Sequence, residues 1–138
     1  MSGENNLQTL LATMQPSLDS TIYVFLTTKE PLHTLPLSTL EPQLLVKEEE
    51  GTTIVTTESL ARSHGFTEPT FPCKKITLTI HSSLEAVGLI AAISNRLKDH
   101  GISANVVSGY FHDHIYVPVA RAEDAMRALA EFAGECRK

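Results

Sequence analysis

Between Ile76 and Phe132 the spacing of apolar residues changes period three times, and this constrains the fold more than any other feature of the chain. Ile76-Thr77-Leu78-Thr79-Ile80 alternates at period two, as a half-buried strand does. A long apolar helix is expected from Leu84 to His100, with Ala86, Ile90, Ile93 and Leu97 along one stripe and Arg96, Lys98 and Asp99 facing away. Ser82 and Glu85 have the spacing of a capping box at its start, and Gly101 suits its end. Ser103–Gly109 and His114–Val119 then read as two strands joined by a turn at Phe111-His112-Asp113. Ala122, Ala125, Met126, Leu129 and Phe132 give a closing amphipathic helix. A β-α-β-β-α order with one-sided helices fits an α+β sandwich, an antiparallel sheet with its helices on one face.

The first half carries a looser version of the same pattern. Leu7, Leu10, Leu11 and Met14 share one helix face, with Asn5 or Asn6 as cap and Pro16 as stop. Ile22–Leu26 is a β-branched and aromatic run and reads as a buried strand. Residues 29–42 contain Pro31, Pro36 and Pro42 and read as loop. Leu44–Val46 and Thr53–Thr56 flank Glu49-Glu50-Gly51 as a hairpin, and Thr57 caps a short helix, Glu58–His64. Residues 66–73, with Pro69 and Pro72, look like a seam. The expected division is therefore residues 1–70 and 71–138. Each half lacks one element of a complete βαββαβ unit, so the halves are expected to complete each other, with exchange of a strand as one route. Neither half of about 70 residues would bury much core alone.

Charge narrows the function. The 138 residues carry a net charge of −5, against a nucleic-acid partner, whose binding is dominated by phosphate neutralisation. The imbalance lies in residues 1–70, with three basic and nine acidic residues, much of it in Glu48-Glu49-Glu50. That run reads as a solvated turn or as an acidic interaction patch. No apolar run approaches the roughly 20 residues of a membrane span, and the opening residues lack a basic signal-peptide region. Cys73 and Cys136 form neither a disulfide framework nor a zinc motif, which suits a cytoplasmic location.

No catalytic constellation, phosphate loop or dinucleotide fingerprint is present. His112 and His114 at i, i+2 have the spacing of two metal ligands on a strand, but a turn with structural or solvent-facing histidines is the default reading, and no metal or cofactor is expected. Cys73 beside Lys74-Lys75 could have a lowered thiol pKa, with a packed cysteine as the plainer reading. Gly88 stands out because it falls inside the expected 84–100 helix, where glycine costs about 1 kcal/mol relative to alanine. Close helix–sheet packing or close approach of a ligand to the helix start would each account for it. On this reading, Gly88→Ala abolishes ligand binding and leaves the helix intact.

Ile76–Ser94 and Gly101–Pro118 together resemble an ACT domain, most closely the aspartate-kinase type found in small stand-alone tandem proteins. The resemblance rests on a strand (Ile76–Ile80), a loop running into a glycine-containing helix start (His81–Gly88) and a following strand that opens on Gly101-Ile102. Residues 20–70 resemble a degenerate first ACT-like unit. The resemblance implies a ferredoxin-like fold in tandem, side-by-side pairing of units, and a small effector bound at the unit interface. It assigns Ser82, Ser83, Leu84, Ala86, Val87 and Gly88 to the lining loop and helix start, with Asn105 and Val106 from the next strand. The usual Asp and Pro of the loop are replaced by Ser82-Ser83-Leu84-Glu85, and Leu26–Leu35 lacks the glycine an equivalent first site would carry. The expected function is a non-enzymatic regulatory module that binds an amino acid and acts as a homodimer, without nucleic-acid or membrane partners. The alternative is a structural interaction module with no ligand.

Overall fold

A computed structural model describes residues 6–80 and 86–138. They form two compact units. One, here the flanking unit, contains the described residues up to Ser20 and from Lys74 onward; the other, nested within it in sequence, is Thr21–Cys73.

The nested unit runs β2 (Tyr23–Thr28), α2 (Leu37–Leu40), β3 (Leu44–Lys47), β4 (Thr52–Thr57), α3 (Glu58–Ser63) and the start of β5 (Thr70–Leu78). Its sheet order is β3-β4-β2-β5, with antiparallel pairing throughout. This is a complete βαββαβ arrangement. The Thr57 hydroxyl accepts from the Leu60 N–H at 3.0 Å, so the expected cap on α3 forms. Val24, Leu26, Leu40, Ile54 and Ala61 make the core. The segment 29–42 is not all loop: Leu40 is fully buried there, at the end of a single helical turn.

Strand β5 begins at Thr70, six residues before the expected start, despite Pro72. The register with β2 shifts between Tyr23↔Cys73 and Phe25↔Thr70, and Phe71 has φ 55°. The extra residue is a β-bulge, one of the few places in a sheet where a proline without an N–H is tolerated. The proline signal therefore marks an irregularity inside the strand as well as a seam.

The flanking unit uses α1 (Leu7–Thr13), β1 (Pro16–Leu18), β5 from Lys74, α4 (Leu89–Asp99), β6 (Asn105–Ser108), β7 (Asp113–Pro118) and α5 (Ala122–Cys136). Asn6 caps α1 by accepting from the Thr9 N–H at 2.9 Å. Sheet order is β1-β5-β7-β6, the same order as in the nested unit. The fourth strand is supplied by the N-terminal segment, with Pro16↔Leu78 and Leu18↔Ile76 in antiparallel register. Leu10, Leu11 and Met14 of α1 join Ile76, Leu78, Ile93, Leu97, Ile115, Val117 and Leu129 in one core. Arg96 of α4 makes a bidentate pair with Glu135 of α5 and lies 4.3 Å from the centre of the Phe132 ring.

Helix α4 is shorter than expected. It starts at Leu89, and its buried stripe is Leu89, Ile93 and Leu97, with Ile90 half-buried and Ala86 ahead of the helix. The expected Ser82–Glu85 capping box lies outside the described residues.

Candidate functional site

Gly88 is not an interior helix residue. It is the N-cap of α4, with φ 95°, a left-handed conformation that glycine adopts without strain. A Cβ at this position would approach Leu7 Cδ2 to 3.3 Å. Both facts correct the expectation that Gly88→Ala leaves the fold intact, because alanine would be strained by its backbone and crowded by α1. The glycine is required by the turn into α4, with its carbonyl accepting from the Ala92 N–H at 2.9 Å.

The remaining expected site residues divide by environment. Val87 is 85 % exposed, and Asn105 is exposed at the start of β6. Ala86 and Val106 pack against the core of the unit. Ser82, Ser83 and Leu84 lie outside the described residues. Gly88 caps the N-terminal end of α4, whereas Asn105 follows its C-cap, His100, by five residues. The 11-residue helix is about 16 Å long and stands between them within one unit.

Each histidine of the 112–114 segment is held by a different group. His112 lies in the turn before β7, and its Nδ1 is 3.1 Å from the Ile80 carbonyl oxygen. His114 Nδ1 is 2.9 Å from Thr77 Oγ1 across the sheet. Burial holds the His114 imidazole below its usual pKa, with Lys75 and His112 acting in the same sense and Asp113 opposing. Among the described residues, no three His, Cys, Asp or Glu side chains cluster as metal ligands would. Cys73 is fully buried, and its Sγ donates to the Tyr23 carbonyl oxygen at 3.4 Å. Burial pushes its thiol up to about 12, so Lys74 and Lys75 do not activate it.

The nested unit has a feature that the loop reading of 29–42 missed. The β2–α2 connection and the β3–β4 turn enclose a concave surface of about 1140 Å³. Leu32 and Leu37 are exposed along its proline-rich side, which the sequence alone does not reveal.

One ACT-domain family model matches residues 2–74 and a second matches residues 71–131. The chain belongs to the ACT-domain family. Solved structures share its fold. A Vibrio cholerae protein of unknown function, described as a "possible transport protein", is 45 % identical, with a TM-score of 0.82 over 92 % of this chain and 95 % of that one. An Agrobacterium tumefaciens protein is 15 % identical, with a TM-score of 0.69 over 87 % and 89 % of the two chains. The ligand-free regulatory subunit of Thermus thermophilus aspartate kinase is 12 % identical, with a TM-score of 0.63 over 87 % and 96 %. No curated protein sequence matches this chain. The ferredoxin-like fold, in tandem ACT form, is thus established. Among the described residues, no helix is long and apolar enough to cross a membrane.

Proposed function

We propose that this tandem ACT protein is a regulatory module that binds a small-molecule effector, an amino acid, and catalyses no reaction of its own. The observation that carries the reading is the pair of ACT-domain matches, which together account for residues 2–131. The fold shared with an aspartate kinase regulatory subunit supports it.

The effector carboxylate belongs at the start of α4, against the loop residues Ser82, Ser83 and Leu84 and against Val87 and Gly88. The first-turn N–H groups and the partial positive charge of the helix favour an anion there. Ala86 packs against the core beside the helix start, and Val106 stands next to Asn105 on β6. Asn105, with an amide that both donates and accepts, is the second polar contact. Because α4 separates Asn105 from Gly88 within one unit, a site that uses both draws Asn105 from a second copy of the chain. Among the described residues strand β6 is an edge strand, bonded only to β7, and offers the surface for that pairing. A homodimer follows from this reading, and the cytoplasm is its proposed location.

A thermal-shift screen of the full chain against the twenty free amino acids tests it. One of them should raise the melting temperature progressively with concentration, since a ligand specific for the native state stabilises by mass action. Asn105→Ala should weaken that response without lowering the melting temperature of the free protein. A flat response to every amino acid at millimolar concentration would leave the ligand-free interaction module as the correct reading.

A further inference from the structure

The concave surface of the nested unit plays no part in the effector site proposed above. One wall is the β2–α2 connection, from Thr28 through the 3-10 turn Leu32–Thr34 to Ser38; the other is the β3–β4 turn, Lys47–Thr52. Gly51 sets the second wall close to the end of β2. A Cβ at this position would lie 2.9 Å from Thr27 Oγ1, nearer than a side chain allows without a shift, and 3.0 Å from the Thr28 carbonyl oxygen, a tight contact.

The two walls differ in chemistry. On the first, Leu32 and Leu37 are 41 % and 38 % exposed, among the few large apolar side chains so placed in the described residues, and Pro31, Leu35 and Pro36 extend the strip. The second presents Glu48, Glu49 and Glu50 in succession. Glu48 accepts from the Thr53 hydroxyl, whereas Glu49 and Glu50 enter no ion pair among the described residues. With Glu30 on the first wall, four carboxylates face two ammonium groups, Lys29 and Lys47, so the lining is net acidic.

Size and chemistry together select the occupant. Sites for drug-sized molecules run to about 300–1,000 Å³, and this one, at about 1140 Å³, exceeds them. A free amino acid would leave most of it to water. A segment several residues long would fill it, with aliphatic side chains covering the leucines and cations meeting the glutamates. We propose that this concavity is a docking groove for an extended peptide segment of a partner protein, carrying leucine-like side chains interspersed with lysine or arginine. The groove lies within one ACT unit and does not depend on the effector reading.

Fluorescence anisotropy of the full chain with a labelled Lys-Leu-Lys-Leu-Leu-Lys peptide tests the proposal. Binding should saturate and weaken with added salt, since the glutamates are exposed. Glu49→Gln and Glu50→Gln should each weaken it by about 2–5-fold at low salt, the range of an exposed ion pair. Leu37→Asp should weaken it by more than either. Leu32→Asp serves as a second apolar-wall variant, and unchanged melting temperatures show that each variant is folded. Equal affinity for the peptide with glutamate in place of lysine would overturn the proposal. So would wall substitutions that leave affinity unchanged, or leucine amide alone binding as tightly as the peptide.

Discussion

The two ACT units share a strand order and differ in what covers it. In the flanking unit the helices run 11 and 15 residues, and their stripes, with α1, close over a core that extends from Leu10 to Ala133. In the nested unit the equivalent helices are 4 and 6 residues long, over a core built around Val24, Leu26, Leu40, Ile54 and Ala61. Where the flanking unit places a helix on its sheet, the nested unit spends much of the same segment on an irregular connection, which leaves the groove open. One topology thus serves either as a closed core or as a partly open frame, and the length of the first crossover helix decides which.

Core truncation gives the largest effects. Leu97 is fully buried in the longer α4, and Leu97→Ala should cost towards the upper end of about 2–5 kcal/mol, read by denaturant unfolding. Leu40 is equally buried but sits at the end of a single turn that can collapse around a cavity, so Leu40→Ala should fall towards the lower end. A larger loss at Leu40 would break the comparison.

Gly88→Ala should come next, at about 1–3 kcal/mol, the range for a non-glycine residue forced into a left-handed conformation. Asparagine, which tolerates that conformation better, should lose less than alanine, as measured by thermal melts of both variants. Equal losses would shift the cause from the backbone to crowding against Leu7.

The smallest effects are the pH dependences, and both belong to the flanking unit. The folded pKa of His114 lies below its usual 6.5, so the unfolded chain binds more protons between those values. Stability should therefore decline as pH falls from 6.5 through the folded pKa, and His114→Gln should flatten that slope. The hydrogen bond from Arg96 holds the exposed Glu135 carboxyl below its usual 4.5. Its contribution is present above 4.5 and lost as pH falls through the folded value, and Glu135→Gln should remove only this lower window. Chemical denaturation at a series of pH values separates the two.

The sequence made legible whatever depends on local periodicity and capping. The caps at Asn6 and Thr57 and the hairpin around Glu49-Glu50-Gly51 are properties of neighbouring residues and appear where they were expected, whereas the alternation at 76–80 marked a strand that in fact runs Thr70–Leu78. Strand β1 was not legible, because Pro16-Ser17-Leu18 carries no strand signal and becomes one through pairing with a distant β5. The bulge at Phe71 hid the start of β5 behind a proline for a related reason: its cause is the register with β2. Gly88 was recognised as exceptional, but helix periodicity ran through it, so a start-of-helix conformation was mistaken for an interior one. For the candidate site, the exposure of Val87 and Asn105 and the inward packing of Ala86 and Val106 needed tertiary structure. The groove was hidden in the same way, since proline spacing gives a loop but not which of its leucines face out.

The provenance of β1 also sets an order of events during synthesis. Chains are made and begin to fold from the N-terminus. All the strands and helices of the nested unit have been made once Cys73 emerges. The segment holding α1 and β1 is made before the nested unit, yet its partners at Ile76–Leu78 come only after the whole of that unit. Until then Leu10, Leu11 and Met14 have no core to enter. The earlier-made part of the flanking unit must therefore wait for the later part, and a nested unit that folds early shortens the loop that this late pairing has to close.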